Sequence, residues 1–223
     1  MVTYWIITDI DGTIIDNSNR KYYCAKIAIN DSVTYEQVNS HYNIDHLKPS
    51  QKQKTKFWDL FLSEIYMNHT PYEDTPIVGA EPVLTKWYKK GIIIAYATGR
   101  HHDVKTGQSM KGGTLHSLNR MNFPLPDDQK VFLFMKPNRW MKDIDFKQQI
   151  YQKVAYRGTI LAIIGNRPND VDKQFHRLTA TRIGFSENPY STKDRKKFDN
   201  DVILASSWKK VDEIIGQAYR KIC

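Results

Sequence analysis

The chain has 223 residues, of which 40% are hydrophobic and 26% charged, so its length fits one large domain or a core with a modest insertion, and disorder is excluded. The formal net charge of +9 favours anionic partners, either phosphorylated small molecules or nucleic acids. No apolar run approaches the ~20 residues that span a bilayer. Two cysteines near opposite ends of the sequence predict no disulfide framework. From the cysteines and the lack of a long apolar run, we expect a cytoplasmic protein without a membrane partner.

Compact apolar runs predict six buried strands, most of them separated by segments with helical periodicity. The predicted strands cover residues 4–8, 92–97, 131–135, 160–165, 180–185 and 202–205, and the last is a short edge strand. The first predicted helix begins near Pro82 and ends at Gly91. Three further helices are predicted over residues 114–121, 146–154 and 208–222. This order predicts an α/β protein with a Rossmann-like core of three layers, in which helices cover both faces of a parallel sheet.

The alternation is interrupted between residues 17 and 77. A helix is predicted over residues 55–68, with Phe57, Leu60, Phe61 and Ile65 on one face. About 60 residues is too long for a simple crossover, so we expect a small helical cap, 17–77, inserted into a core made of 1–16 and 78–223. A long irregular loop is the alternative. The polar candidates for setting specificity are Tyr22, Tyr23, Lys26, His41, Tyr42 and His46, although aromatic residues in such an insertion often form its own core.

The first predicted strand ends in the sequence DIDGT, residues 9–13. In an extended chain the side chains of Asp9 and Asp11 project to the same side. Two carboxylates that lie so close repel each other unless a cation lies between them, and oxygen ligands of this kind suit Mg²⁺. A capped turn is the structural alternative for this short sequence.

Polar residues also follow two other predicted strands. Thr98, Gly99 and Arg100 end the second strand, where a hydroxyl, backbone amides and a guanidinium fork suit a phosphate. The sequence GNRPND follows the fourth strand and supplies oxygens from Asn166 and Asp170. Since ligands bind beyond the carboxyl ends of parallel strands, we expect these groups to meet in one site.

Together these motifs resemble those of the haloacid dehalogenase superfamily along nearly the whole chain. DIDGT matches the first motif, ATGR the second and GNRPND the fourth, and the last is similar to the lipin-type branch. The third motif is a lone lysine in the helix before the fourth strand; we assign Lys147, with Lys136 and Lys142 as rivals. Asn166 stands where many relatives have aspartate, which removes one negative charge from the expected metal site.

The resemblance implies a Mg²⁺-dependent phosphatase that forms an aspartyl-phosphate on Asp9. Asp11 would act as general acid and then as base, and Thr98, Gly99 and Lys147 would hold the phosphoryl group, while Arg100 would contact phosphate or substrate. The ion would be bound by Asp9, the backbone carbonyl of Asp11, Asn166 and Asp170. The expected substrate is a small phosphorylated metabolite or a nucleotide. A nucleic-acid 3′-phosphatase, a phosphomutase, a lipid phosphatase and a non-catalytic phosphate-binding module are the alternatives.

Overall fold

The structure is a computed structural model and describes residues 2–39, 44–66, 74–103, 105, 108–171, 175, 181–187 and 195–222. Its strands are β1 (Tyr4–Thr8), β2 (Ile15–Asp16), β3 (Thr75–Pro76), β4 (Ile93–Asp103), β5 (Gln108–Ser109), β6 (Val131–Lys136), β7 (Thr159–Gly165), β8 (Arg182–Phe185) and β9 (Ile203–Ala205). Six of these described strands form a parallel sheet in the order β6–β4–β1–β7–β8–β9. This places β1 in the middle of the sheet.

The α-helices among the described residues are α1 (Ser18–Ala28), α2 (Tyr35–Asn39), α3 (Gln51–Tyr66), α4 (Ala80–Lys89), α5 (Lys111–Arg120), α6 (Asp143–Ala155) and α7 (Trp208–Ile222). Short 3₁₀ turns cover Asp45–Leu47 and Pro168–Asp170. Gly91 follows α4 with a φ of 84°, in the left-handed region that glycine adopts without steric cost. No described helix is long and apolar enough to cross a membrane.

Alternate residues of β1 pack into two separate hydrophobic cores. Ile6 lies in the core that also contains apolar residues of α4, α5 and α7. Trp5 and Ile7 lie in the other core, together with Tyr151 and Val154 of α6. Because successive side chains of a strand point to opposite faces, helices cover both faces of the sheet. The predicted three-layer α/β fold with a parallel sheet is therefore confirmed.

The terminal helix α7 fixes the loop that follows β1. The indole nitrogen of Trp208 donates a hydrogen bond to the backbone oxygen of Thr13 at 2.9 Å, and the whole side chain is buried. Its ring also lies 5.8 Å from the ring of Phe185 in β8. The DIDGT loop is thus held against the core by a helix from the far end of the chain.

The helices between β2 and β3 have a hydrophobic core of their own. Its buried residues are Cys24, Ala25, Ala28, Val33, Val38, Ile44, Phe57 and Phe61, and Leu60 packs against it. The two short strands, which the sequence did not predict, pair in antiparallel fashion, Ile15 with Pro76 and Asp16 with Thr75. The chain therefore leaves the sheet for these helices through β2 and returns through β3, and the two strands form one two-stranded ribbon. The domain boundaries at residues 17 and 77 stay a prediction.

The polar residues considered for specificity have different surroundings. Tyr23 is 54% exposed, whereas the ring of Tyr22 packs edge-on against Tyr35. Lys26 forms an ion pair with Asp31 at the surface. The Nε2 atom of His46 lies 2.5 Å from the backbone oxygen of Gln37. His41, Tyr42 and residues 67 and 68 lie outside the described residues, as does the side chain of Ile65.

Strand β4 continues beyond its predicted end at residue 97. It runs to Asp103 because β5 and β6 pair with its last part, with His102 opposite Ser109 and His101 opposite Lys136. His101 is consequently buried, and burial lowers its pKa, with Lys136 adding to the effect. Both His101 and His102 therefore belong to the extended end of this strand.

Candidate active site

Two loops and a neighbouring strand bring the predicted site residues together at the carboxyl edge of the sheet. Asp9 follows β1 directly, and its backbone amide donates to the oxygen of Ile164 in β7 at 2.9 Å. Asp170 ends the 3₁₀ turn that follows β7, and Thr98 lies in the neighbouring strand β4. Asp9, Thr98 and Asp170 are all buried. The expectation that the motifs meet at one end of a parallel sheet is met by the positions of these residues.

The ammonium group of Lys147 links two carboxylates. Its Nζ atom donates to Oδ1 of Asp9 at 2.8 Å and to Oδ1 of Asp170 at 2.5 Å, and the lysine side chain is 2% exposed. Lys147 reaches them from α6, whose residues Tyr151 and Val154 pack on the sheet. One positive charge therefore faces two buried negative charges, which leaves the group with an excess of negative charge.

Burial governs the ionisation of this group. It raises the pKa of Asp9 to about 6, with Asp170 adding to the effect and Lys147 opposing it. Burial alone would lower the pKa of Lys147, but Asp170 and Asp9 outweigh it and raise that pKa above its usual range. Lys147 is therefore charged at neutral pH, and Asp9 is ionised above about pH 6.

The rival lysines lie elsewhere. Lys136 pairs with Asp143 at 2.8 Å and donates to the backbone oxygen of Met141 at 3.1 Å. Lys142 is exposed at the N-terminus of α6. Of the three lysines considered, Lys147 is the one that the structure brings to Asp9 and Asp170.

Asp11 has different partners from Asp9. Arg100 holds it with two hydrogen bonds, Nε to Oδ2 at 2.9 Å and Nη2 to Oδ1 at 2.8 Å. Asn17 donates to Oδ1 as well, at 3.2 Å, and the side chain of Asp11 remains 22% exposed. Burial would raise the pKa of Asp11, but Arg100 outweighs it and holds that pKa well below its usual range. Asp11 is thus an oriented carboxylate with access to solvent.

Arg100 does not point its donors in the direction that the sequence suggested. Besides the two bonds to Asp11, its Nη1 atom donates to the hydroxyl of Thr114 at 3.1 Å, and the residue is 4% exposed. The guanidinium fork is therefore directed at a carboxylate of the protein. Position alone, at the end of a strand, could not distinguish this arrangement from one in which the fork faces a phosphate.

The remaining phosphate candidates are Thr98 and Gly99, of which Gly99 lies beside a carboxylate. The hydroxyl of Thr98 accepts a hydrogen bond from the amide of Arg100 at 3.2 Å. A Cβ atom at Gly99 would lie 2.9 Å from Oδ2 of Asp143, so a side chain at this position would collide with that carboxylate. Asp143 also pairs with Arg167 at 3.3 Å, in the loop after β7. Gly99 thus leaves room beside a charged cluster at the mouth of the site.

The oxygen donors suit a small divalent cation. Asp9 and Asp170 share Lys147. Asn166 packs over the DIDGT turn, where Gly12 has a φ of 76°, and a Cβ at Gly12 would collide with the side-chain nitrogen of Asn166. Carboxylate, amide and carbonyl oxygens are the ligands that Mg²⁺ prefers. Among the described residues no group of three or more acidic, histidine or cysteine side chains forms a metal site. A bound ion would therefore need Asn166 or backbone oxygens.

The sequence did not identify two charged residues of this site. Arg20, in α1, lies with Nη2 3.7 Å from Oδ1 of Asp11, and its Nε donates to Oδ1 of Asp74 at 3.0 Å. Asp74 is fully buried just before β3. Burial raises the pKa of Asp74 to about 6, against the opposing charge of Arg20. Helix α1 has little amphipathic character, so no periodic pattern in the sequence marks the position of Arg20 as buried.

Comparisons with known proteins agree with this architecture. No protein-family model matches the sequence, and a search of curated proteins finds no match. Among solved structures, a predicted phosphatase from Clostridium acetobutylicum is 15% identical with a TM-score of 0.64, covering 99% of this chain and 99% of that chain.

Two further solved structures are similar to the same extent. A haloacid dehalogenase-like family hydrolase from Streptococcus pneumoniae is 16% identical with a TM-score of 0.57, covering 94% of this chain and 96% of the other. A predicted phosphoglycolate phosphatase from Haemophilus somnus is 12% identical with a TM-score of 0.61, covering 95% and 97%. The chain therefore has the fold of the haloacid dehalogenase-like hydrolases, as its motifs predicted.

Proposed function

We propose that the protein is a Mg²⁺-dependent phosphatase that hydrolyses a phosphomonoester through an aspartyl-phosphate on Asp9. One observation carries this proposal: Lys147 lies within hydrogen-bond distance of both Asp9 and Asp170 at the carboxyl edge of the sheet. The names of the similar structures support a phosphatase, and the charge of +9 supports an anionic substrate. The substrate that we propose is a small phosphorylated metabolite or a nucleotide.

Asp9 is suited to be the nucleophile. Its carboxylate is ionised at neutral pH, since its pKa is about 6, and the strand holds it in place. An oxygen of Asp9 would form a bond to phosphorus while the bond between phosphorus and the ester oxygen breaks. Lys147 would offset part of the negative charge that gathers there, because phosphoryl transfer depends mainly on positioning and charge neutralisation.

Mg²⁺ would be held by Asp9, Asp170, the backbone carbonyl of Asp11 and Asn166. When bound, the ion would neutralise charge on the phosphoryl oxygens. The hydroxyl of Thr98 and the amide of Gly99 would donate to those oxygens. Asn166 in place of a carboxylate keeps an oxygen donor but lowers the negative charge around the ion, so we expect weaker metal binding than a third carboxylate would give.

Asp11 would transfer protons during the reaction. Because Arg100 favours its ionised form, the base role is the better supported of the two roles that the motif implies: Asp11 would take a proton from the water that attacks the aspartyl-phosphate. Protonation of the leaving oxygen requires the neutral acid, which the Arg100 fork opposes. Leaving groups that depart without a proton, such as phenolates, should therefore be good substrates.

The basic charge also supports a second candidate, a phosphatase that removes 3′-phosphates from nucleic acids. A phosphate-binding module without turnover is a third. The two phosphatase candidates share the chemistry at Asp9 and differ in what the surface and the insertion recognise, so a substrate panel separates them.

The experiment is an aryl phosphate hydrolysis assay with and without Mg²⁺, comparing the wild type with Asp9→Asn. We expect metal-dependent release of phosphate in the wild type and background rates in the variant. Asp145→Asn, an exposed carboxylate at the start of α6, is the matched control and should behave as wild type. A panel of nucleotides, sugar phosphates and 3′-phosphate oligonucleotides follows. Mg²⁺ binding without turnover on any substrate would favour the binding module instead.

A further inference from the structure

Arg20 is a buried arginine that three contacts hold in place. Its Nε atom donates to Oδ1 of Asp74 at 3.0 Å, and its Nη1 atom donates to the backbone oxygen of Phe61 at 2.7 Å. The guanidinium carbon also lies 4.0 Å from the centre of the Phe61 ring. The residue is 2% exposed. Arg20 thus joins α1, α3 and the segment that precedes β3, and its guanidinium has little freedom to move.

The remaining nitrogen of Arg20 faces Asp11. Nη2 lies 3.7 Å from Oδ1 of Asp11, and within the described part of the chain this buried atom has no hydrogen-bond partner. A buried donor without a partner is unfavourable, and more so when the group is charged. Joining α1, α3 and the segment before β3 requires only the contacts with Asp74 and Phe61, so that role does not explain why Nη2 is directed towards a carboxylate of the site.

Asp11 therefore lies between two guanidinium groups of different origin. Arg100 belongs to β4 in the central sheet and binds both carboxylate oxygens. Arg20 belongs to the first helix of the insertion and faces Oδ1 from another direction. Together they restrict rotation of the Asp11 carboxylate more than one arginine would.

We propose that Arg20 is a positioning residue for Asp11, held in turn by Asp74, so that the insertion takes part in the chemical step. This rests on the proposed function. In the hydrolysis of the aspartyl-phosphate, a water oxygen bonds to phosphorus, and the bond from phosphorus to the Asp9 oxygen breaks with its electron pair remaining on Asp9. The proton of the water passes to Asp11. Arg20 orients the carboxylate that receives it.

The variant Arg20→Gln tests this. Formation of the aspartyl-phosphate needs no base at Asp11, so the rate of this step should stay close to that of the wild type. Hydrolysis of the aspartyl-phosphate should slow by about 10- to 100-fold, which is part of the usual contribution of a positioned base. Turnover and KM should then fall together, with kcat/KM close to that of the wild type. A burst of nitrophenol from p-nitrophenyl phosphate and borohydride conversion of Asp9 to homoserine would both report the accumulated intermediate.

Four further variants calibrate the result. Asp11→Asn should show the same pattern more strongly, and Asp74→Asn, which keeps the size of the side chain, should show it more weakly. Ile27→Gln, an exposed residue near the other end of the same helix, should match the wild type. Arg20→Lys restores charge without the fork and should recover part of kcat.

The outcomes separate the two proposals. If wild type and Asp9→Asn are equally inactive, the proposed function fails. If the wild type turns over and Asp9→Asn does not, the proposed function stands. The role of Arg20 is then overturned if Arg20→Gln and Asp74→Asn lower kcat/KM without accumulating intermediate. It is also overturned if both variants leave kcat unchanged. Should Arg20→Gln fail to fold by circular dichroism, the Asp74→Asn burst decides, and its absence counts against the proposal.

Discussion

The surroundings of Asp9 and Asp11 differ although only one residue separates them. Asp9 is buried next to a second carboxylate with one shared lysine, and its pKa rises to about 6. Asp11 faces two arginines, is partly open to solvent, and has a pKa below its usual range. One carboxylate thus belongs to a group with excess negative charge, which attracts a cation, while the other is neutralised by the protein itself.

Two carboxylates at one strand end thus have different electrostatic surroundings. The Asp9 group is built from the loops after β1 and β7 and from α6, all parts of the sheet core. The Asp11 group also draws on α1, which lies in the insertion. A change in the insertion should therefore alter the environment of Asp11 and leave that of Asp9 largely intact.

The largest expected effect follows from removing the charge that Asp9 and Asp170 share. Lys147→Met leaves two buried carboxylates without their cation and should destabilise the protein by about 3–5 kcal/mol. Turnover should fall by about 10²- to 10³-fold, as when a preorganised donor to a developing charge is lost. Urea unfolding and steady-state kinetics measure the two effects.

Adding Mg²⁺ to the unfolding experiment makes this test more specific. Added Mg²⁺ should restore more stability to Lys147→Met than it gives to the wild type, because the ion replaces the missing positive charge. Lys142→Met, an exposed lysine near the start of the same helix, is the control. Equal losses of stability in the two variants would contradict the arrangement around Asp9.

An intermediate effect concerns Asp74, on the Asp11 side. Its pKa of about 6 in the folded chain lies above the usual value near 4, so the folded state binds this proton more tightly than the unfolded state does. The corresponding stability is present below about pH 4 and is lost as the pH rises through 6. Relative to Asp74→Asn, the wild type should lose up to about 3 kcal/mol between pH 4 and 7.

Urea unfolding at several pH values measures that difference. Asp145→Asn, which changes an exposed carboxylate, should run parallel to the wild type across the same range. If Asp74→Asn also runs parallel to the wild type, Asp74 is not a carboxylate whose charge the fold disfavours.

The smallest expected effect is the pH dependence of metal binding at Asp9. Mg²⁺ binds the ionised carboxylate, so apparent affinity should fall about tenfold for each pH unit below 6. Titration calorimetry in two buffers of different ionisation enthalpy should detect proton release near pH 6 and little at pH 8. Asp11→Asn should keep this profile, and an affinity that is flat between pH 5 and 8 in the wild type would refute it.

Strong local patterns explain what could be predicted from the sequence. The apolar run of β1 and the amphipathic face of α7 coincide with the predicted residues, 4–8 and 208–222, because each pattern spans its whole element. Lys147 was preferred among three lysines because its helix precedes β7, but a lone lysine has no spacing signature, and its contacts with Asp9 and Asp170 are what distinguish it from the other two. The two elements depend on periodicity and chain order, which the sequence contains.

The rest depends on contacts between distant residues. Arg20 and Asp74 are separated by 54 positions, and nothing near either residue marks the pair. Arg100 could face a phosphate or a carboxylate, and only the position of Asp11 in the fold decides between them. The ribbon of β2 and β3 has two residues in each strand, too few for a periodic pattern.

That ribbon has a consequence for how such proteins diversify. Because the polypeptide departs and comes back through adjacent paired segments, the intervening helices can be exchanged for a different module without redirecting any strand of the sheet. Arg20 and Asp74 restrict this freedom, since a replacement module would have to supply its own counterpart for Asp11. Under the proposed mechanism, replacement of the insertion at this junction should therefore preserve phosphoryl transfer to Asp9 more readily than hydrolysis of the aspartyl-phosphate.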